Sequence, residues 1–460
     1  MSVLRILANH EMLSLQPNDA FSDSSAATPI LKLICPGLLD LDASGNIVPS
    51  VARTWTASSD KTTFRFQLQP GLLFSNGHRA DGEAVAVGIE RSLDPRRNSL
   101  HTRDLETISS VRAISATELE ISTSEPFPLL PWYLAWRHYT VADSELQPIG
   151  LGPYQLERWN RGDSVQLVRN PNYQIGPSPH FDEIHVTFAP TSRSRRDKAL
   201  SRQFDFIETL PPSLVDDSEF NEYFNVIPVA SGSRTVLAFN SRTPGLATAA
   251  RRAGLASLLD LPGMRAKIFG VPQRVGANSA PTVSEGEIDE LRQLYSVDIL
   301  RLVAPNISPV QEVAHELESQ LAAHGIRLSV QLHDDPPWWH LVYPGLSVPN
   351  WDLAIQSMPA RPHKEITLRR EYHSAGPFNP TGVTVPELDE LINLAHVSPE
   401  PEVLETACSR AMAIAEQAVM YSELYRSHYS VAASKDIKGV SAHSLGFWGA
   451  EKFYTETSTS

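Results

Sequence analysis

The stretch GLGPYQLERW at residues 150–159, followed by SVQLVRNPNY at residues 164–173, says most about how this chain folds. A Gly-Pro turn leads into residues of alternating polarity, and the polar residues 160–163 separate them from a second alternating run that ends at Asn-Pro. Val165 and Leu167 fall on one face of that second run. The pattern predicts a β-hairpin.

The same stretch resembles the signature GTGPY…W…G…L.RNP.Y of the family 5 bacterial solute-binding proteins, with Leu151 where Thr is usual. Residues 50–93, 181–206, 239–269, 298–332 and 379–391 resemble further segments of that family, in the same order. Members of the family are the peptide, nickel and oligosaccharide receptors of ABC importers. The resemblance implies an α/β, bilobed periplasmic-binding-protein-like fold (type II) with an extra β-rich subdomain in the first lobe.

The resemblance, together with the change from short alternating strands to longer helices from residue 240 onward, divides the chain into five segments. The predicted first lobe comprises residues 1–37 and 149–238, with an inserted subdomain at 38–148 and a C-terminal return at 431–460. Residues 239–430 form the predicted second lobe. The chain would cross between the lobes twice, and two crossings form a hinge on which lobes close around a ligand.

Within the predicted second lobe, one pattern specifies a local fold without any resemblance. Apolar residues recur with helical spacing between the apolar run 300–303 and the alternating run 326–332; they are Val310, Val313, Ala314, Leu317 and Leu321. A helix between two strands predicts a βαβ unit with a parallel strand pair.

Composition excludes several classes of protein. The net charge of −14, from 39 basic and 53 acidic residues, disfavours a nucleic-acid partner, because such binding depends on neutralising phosphates. Cys35 and Cys408 are too few for a disulfide framework, and we expect buried free thiols. No apolar run approaches the ~18 residues that cross a bilayer. The N-terminal residues show no signal-peptide pattern, so both a periplasmic and a cytoplasmic location stay open.

Patterns typical of catalysis are incomplete. His315 and Glu316 begin a zinc-protease helix motif, but Ser319 stands where the second histidine is required. The run at 333–335, His-Asp-Asp, precedes two prolines and indicates a polar loop rather than a metal site. Residues 150–152 lack the third glycine of a dinucleotide turn. We therefore predict no enzyme activity, no metal site and no cofactor.

The resemblance also points to a ligand contact. Peptide receptors of the family hold the peptide ammonium with an acidic residue in a W.aDy.dP segment. Here Met358 stands at the Trp position and Arg361 at the Asp position. A guanidinium favours carboxylate or phosphate, so the hypothesis is an anionic or sugar-like ligand rather than an ordinary peptide. The alternative is a surface arginine in a loop shifted by a few residues.

Eight further residues complete the predicted ligand-binding set. Core packing is the alternative explanation for Trp132 and Trp338. The set is His363, Asn240, Arg234, Trp132, Tyr154, Trp338, Phe378 and Asn379.

The predicted function is that of a periplasmic, monomeric receptor that captures a small or peptide-like solute between the lobes and delivers it to ABC permease subunits. The alternative is a cytoplasmic solute-sensing protein of a regulatory system, because residues 439–448 resemble such sensors of the same fold. A hydrolase is disfavoured by the missing catalytic residues.

Overall fold

The computed structural model describes residues 1–9, 12, 14–15, 27–94, 96, 102–136, 148–189, 191–269, 283–333, 342, 350–441, 445–446 and 448–456. The chain divides into two compact units. Unit 1 comprises Met1–Ser231 and His428–Ser460, and unit 2 comprises Gly232–Ser427. The polypeptide enters unit 2 within one long strand, Phe224–Phe239, and leaves it within another, Tyr421–Ser434.

Both units contain helices and strands. The α-helices of the described part are α1 (Ala27–Ile34), α2 (Gly82–Ser92), α3 (Leu130–Trp136), α4 (Ser192–Leu200), α5 (Ser218–Asn221), α6 (Ala249–Ser257), α7 (Leu261–Phe269), α8 (Glu285–Val297), α9 (Val310–Ala323), α10 (Lys364–Thr367), α11 (Pro386–Val397) and α12 (Pro401–Gln417). The strands are β1 (Val3–Ala8), β2 (Leu39–Leu41), β3 (Ile47–Pro49), β4 (Ala52–Ala57), β5 (Thr63–Leu68), β6 (Ile108–Ser115), β7 (Glu118–Thr123), β8 (Tyr154–Asn160), β9 (Ser164–Arg169), β10 (Glu183–Phe188), β11 (Phe206–Ile207), β12 (Phe224–Phe239), β13 (Leu300–Pro305), β14 (Leu328–His333), β15 (Leu353–Met358), β16 (Tyr421–Ser434), β17 (Ile437–Lys438) and β18 (Tyr454–Thr455).

The main sheet of unit 1 has the strand order β16-β11-β1-β10-β9-β8. Strand β1 runs parallel to both of its neighbours, β10 and β11, so it is the central parallel strand. Its residues Leu4 and Ile6 are fully buried and lie opposite Ile184 and Val186 of β10. These alternating apolar side chains form the centre of the unit 1 core.

The predicted hairpin is confirmed, because β8 and β9 pair in antiparallel fashion at the end of this sheet. The turn before it lies against α1: the Gly152 N–H donates to the Ile34 carbonyl, 2.9 Å away. A Cβ on Gly152 would approach the Leu33 carbonyl oxygen to 2.1 Å, so only glycine fits there. A second, antiparallel sheet with the order β4-β5-β7-β6 lies within residues 52–123.

The sheet strands of unit 2 include β14-β13-β15-β12 in that order. Strands β13 and β14 are parallel and are joined by α9, so the predicted βαβ unit is confirmed. The five apolar residues of the predicted α9 stripe are all buried. They pack in the unit 2 core with β13 and with α6 to α8.

Two further observations concern the whole described part of the chain. Cys35 and Cys408 are both buried free cysteines, which confirms the interpretation from their number and spacing. Within the described residues, none of the helices has the length and apolar character that crossing a membrane requires.

Candidate functional site

The loop that follows β15 is held beside β12 by strand pairing. Strands β12 and β15 are antiparallel, and Arg234 lies directly opposite Met358. Two residues later, the Ala360 N–H donates to the Ser233 hydroxyl over 3.0 Å. Both contacts bring Arg361, the next residue, next to the start of the unit 2 part of β12.

The Arg361 side chain points into unit 2 and forms a buried ion pair. Its Nη2 donates to Glu371 Oε1 over 2.5 Å, and the two side chains are only 3% and 2% exposed. The guanidinium carbon also lies 5.9 Å from the centre of the Phe378 ring. The other oxygen of Glu371, Oε2, is buried and has no hydrogen-bond partner in the described part of the chain. Arg361 is therefore engaged by its own chain.

A second buried arginine lies in the same place. Glu371 belongs to a short π-helix, Leu368–Tyr372, which directly follows α10. Arg370 in this helix is fully buried, with its guanidinium carbon 4.5 Å from the Phe378 ring centre. Burial lowers the pKa of Arg370 to about 9, because the protein interior disfavours the charged form.

Arg234 is the most exposed arginine of this group, with 23% of its side chain accessible. Its Nη2 lies 3.5 Å from the Tyr372 hydroxyl and 3.6 Å from Met358 Sδ, and its Nη1 lies 4.0 Å from Glu423. Burial alone would lower the pKa of Arg234, but the nearby tyrosine and glutamates outweigh it and raise the pKa. These contacts are long for hydrogen bonds and leave most of its five N–H donors available.

We call Arg234, Arg361, Arg370, Glu371 and Glu423 the arginine cluster. Three arginines against two glutamates leave an excess of one positive charge. Arg426, which donates to Glu423 over 2.8 Å, adds another. A cluster with this balance attracts anions and repels ammonium groups.

The structure brings four of the predicted ligand-binding residues together in unit 2: Arg234, Met358, Arg361 and Phe378. Met358 and Phe378 are buried and form the apolar surroundings of the arginines. The other predicted unit 2 residues brace loops. Asn240 donates to the Trp351 carbonyl, and Asn379 donates to the His373 carbonyl. His363 Nδ1 accepts the Glu365 N–H at the start of α10, and burial lowers the pKa of this imidazole.

In unit 1, Tyr154 is fully buried and donates to the Phe181 carbonyl over 3.1 Å. Trp132 is half-buried on α3. Trp338 lies outside the described residues. Ligand contact at the ten residues stays a prediction.

Sequence analysis missed four residues of this site: Glu371, Tyr372, Tyr421 and Glu423. Tyr421 donates to the Glu371 carbonyl over 2.6 Å, and its ring meets Tyr372 edge-on with centres 5.2 Å apart. Tyr421 and Glu423 alternate along β16, so period-two spacing could have placed them on one face. Nothing comparable in the sequence marks Glu371.

Candidate catalytic groups are less organised. The His315 imidazole is 60% exposed and lies 3.4 Å from Glu318. His333 ends β14, and residues 334 and 335 lie outside the described residues. Among the described residues, no three His, Cys, Asp or Glu side chains are grouped so as to hold a metal ion.

Residues 46–298 match the family described as "Bacterial extracellular solute-binding proteins, family 5 Middle". The chain belongs to this family. The resemblance seen in the hairpin and in the segments around it is thereby confirmed.

Among curated relatives of this family 5 chain, the nickel-binding periplasmic protein of Escherichia coli K12 is 30% identical over 191 residues. That match covers 39% of this chain and about a third (35%) of the relative. The nickel-binding protein NikA of Staphylococcus aureus is 22% identical over 427 residues, covering 87% of this chain and 84% of the relative.

Among solved structures, AgaA, a periplasmic binding protein from A. tumefaciens R10 in complex with agropinic acid, superposes with a TM-score of 0.83. The two chains are 18% identical, and the superposition covers 99% of each. At this identity the likeness concerns the fold, and it confirms the predicted α/β periplasmic-binding-protein class.

Proposed function

We propose that this protein is the substrate-binding receptor of an ABC importer, and that its solute carries an anionic group bound by Arg234. It binds and hands over that solute without catalysing a reaction. Family membership supports the receptor role. The proposal of an anionic solute rests on the partly exposed Arg234, which lies in a positively charged cluster. Because the relatives' family is extracellular by description, we place the protein outside the cytoplasmic membrane.

The choice of Arg234 over Arg361 follows from their contacts. The Arg361 guanidinium is 3% exposed and is paired with Glu371, so an incoming carboxylate would compete with an existing buried ion pair. Arg234 makes only long contacts, and a carboxylate or phosphate oxygen at 2.8 Å would be a shorter, charge-assisted bond (about 2.7–2.9 Å is typical). An anion there would also compensate the excess positive charge of the cluster.

The ligand of one similar protein supports an anionic solute. AgaA was solved with agropinic acid, an acid, whereas the two curated relatives are nickel-binding proteins. The described residues of this chain offer no group of three metal-ligating side chains.

The test begins with native mass spectrometry of the protein purified from its own host, which identifies a retained small molecule by mass. Its affinity is then measured by calorimetry for the wild type and for Arg234→Gln. We expect the variant to bind about tenfold or more weakly, since hydrogen bonds to charged groups contribute about 1.5–3 kcal/mol.

The matched control is Arg292→Gln, which removes a surface arginine of α8 that pairs with Asp289. It should bind as the wild type does. A retained molecule without an acidic group, or an unchanged affinity in Arg234→Gln, would refute the ligand assignment. Co-purification of the protein with permease subunits from host membranes tests the importer partnership.

A further inference from the structure

An exposed apolar surface lies in unit 2 at the end of α8. Leu294, Val297 and Ile299, which we call the apolar patch, are 37%, 75% and 50% exposed and fall within six consecutive positions. The other exposed large apolar side chains of the described part are scattered, and the nearest two, Leu394 and Val403, are nine positions apart. Single exposed apolar residues are ordinary on protein surfaces, whereas a contiguous group indicates an interaction site.

Helix α8 carries apolar side chains on two sides. Leu291 and Tyr295 are buried and pack in the unit 2 core. Leu294 and Val297 are three positions apart, so they lie on one face of the helix, and both are exposed. A surface helix ordinarily has one apolar stripe, which faces the core. The folding of unit 2 therefore accounts for the first stripe and not for the second.

A cavity of about 450 Å³ lies beside the apolar patch. Leu294 lines it, together with Pro244, Arg251, Glu290, Leu291 and Gln293. Arg251 and Glu290 pair over 3.3 Å and are 37% and 64% exposed, so the lining presents one charge of each sign. This balance disfavours a partner whose charges all have one sign. It also disfavours a membrane surface, which attracts clusters of basic residues.

The apolar patch and the arginine cluster lie at opposite ends of the unit 2 strands. Ile299 directly precedes β13, whereas Arg234 lies opposite Met358, the last residue of β15. Strands β13 and β15 are parallel neighbours, with Leu302 opposite Leu353. The start of β13 and the end of β15 are therefore about 20 Å apart, the length of a strand of about six residues. A protein bound to the apolar patch does not cover the arginine cluster.

We propose that the apolar patch joins two copies of this chain in a weak twofold dimer. With the twofold axis at Leu294, the two α8 helices run antiparallel. Val297 and the cavity-lining Glu290 lie about one turn on either side of Leu294, so Val297 of each copy reaches the cavity of the other. One surface thus supplies both the protruding side chain and the recess, and both signs of charge, which is what pairing with a second copy requires. The inference goes beyond the proposed receptor function, which does not require it, and it departs from the monomer predicted from the sequence.

The test is sedimentation velocity of the full chain at increasing protein concentration, without added solute. We expect the wild type to pass from monomer to dimer as its concentration rises. Val297→Asp should raise the dissociation constant at least about tenfold, because association would bury a carboxylate in an apolar contact. The matched control is Leu394→Asp, which introduces the same charge at a side chain of α11 that is 45% exposed, and it should associate as the wild type does. Both replaced side chains are exposed, so neither substitution disturbs a core.

A wild type that stays monomeric up to about 1 mM overturns the inference, and so does a Val297→Asp protein that associates as tightly as the wild type. Equal weakening by Leu394→Asp also overturns it, since the added negative charge rather than the apolar patch would then be responsible. Flotation with vesicles of anionic lipid tests the other occupant. Vesicle binding by the wild type and not by Val297→Asp would assign the apolar patch to a membrane surface and overturn the dimer. None of these measurements uses the solute, so their outcome leaves the receptor proposal unchanged.

Discussion

Removing the guanidinium of Arg361 should destabilise unit 2 rather than weaken ligand binding. The substitution Arg361→Ala leaves the carboxylate of Glu371 buried, at 2% exposure, without the Nη2 donor that lies 2.5 Å away. Removing one partner of a buried ion pair typically costs about 3–5 kcal/mol. We expect the lower end, about 3 kcal/mol, because Arg234 also interacts electrostatically with Glu371.

The magnitude can be measured by thermal unfolding. For a domain of about 150–250 residues, each 1 kcal/mol shifts the melting temperature by about 2–4 °C. Arg361→Ala should therefore lower the melting transition of unit 2 by about 6–12 °C. The double variant Arg361→Met with Glu371→Leu replaces both charges by apolar side chains of similar size and should recover most of this loss.

Two results would contradict this account of Arg361. The first is an Arg361→Ala protein that melts within about 1 °C of the wild type, since a guanidinium in contact with solvent or ligand only would contribute little to folding. The second is a double variant that is less stable than either single variant, which would show that the two side chains are not coupled. A selective loss of ligand affinity would support the sequence-based hypothesis that Arg361 itself contacts the ligand.

Two further expectations concern stability. Hydrogen bonds from Arg301 hold the pKa of the buried Asp352 below its usual value, although burial alone would raise it. The stabilisation is therefore complete above the unfolded pKa of about 3.9 and is lost as pH falls through the lower folded value. Denaturant titrations should show Asp352→Asn less stable than the wild type by about 2–3 kcal/mol at pH 7. A difference in stability between the two proteins that does not narrow below pH 4 would contradict this. Gly152→Ala should destabilise unit 1 by about 2 kcal/mol or more, because its Cβ would lie 2.1 Å from a carbonyl oxygen. Its control, Gly286→Ala on α8, meets no atom within 4 Å and should be neutral or slightly stabilising; equal effects of the two changes would refute the steric argument.

The parts of the fold that the sequence predicted are those with short-range signals. The hairpin of β8 and β9 follows from two alternating runs and one polar turn, all within about twenty residues. The βαβ unit follows from one apolar stripe flanked by two apolar runs. In both cases the buried face is determined by residues close in sequence, so periodicity alone identifies it.

The surroundings of Arg361 have no such signal. Glu371 lies ten residues after Arg361, within the π-helix Leu368–Tyr372. A π turn changes the angular position of each later residue relative to α-helical spacing. A helical periodicity of 3.6 residues therefore could not place the Glu371 carboxylate against the guanidinium, and the arginine looked available for a ligand.

Glu208 shows the same limit at longer range. Its two hydrogen-bond donors, Asn9 and Trp448, are separated from it by 199 and 240 residues. They meet because β1 and β11 are adjacent and parallel, and because the C-terminal residues from 428 onward belong to unit 1. In the sequence, a charged residue that directly follows a two-residue strand resembles any surface glutamate. Only the order of the strands brings its carboxylate between the Asn9 N–H and the Trp448 indole N–H, and the residues next to it in sequence give no sign of these contacts.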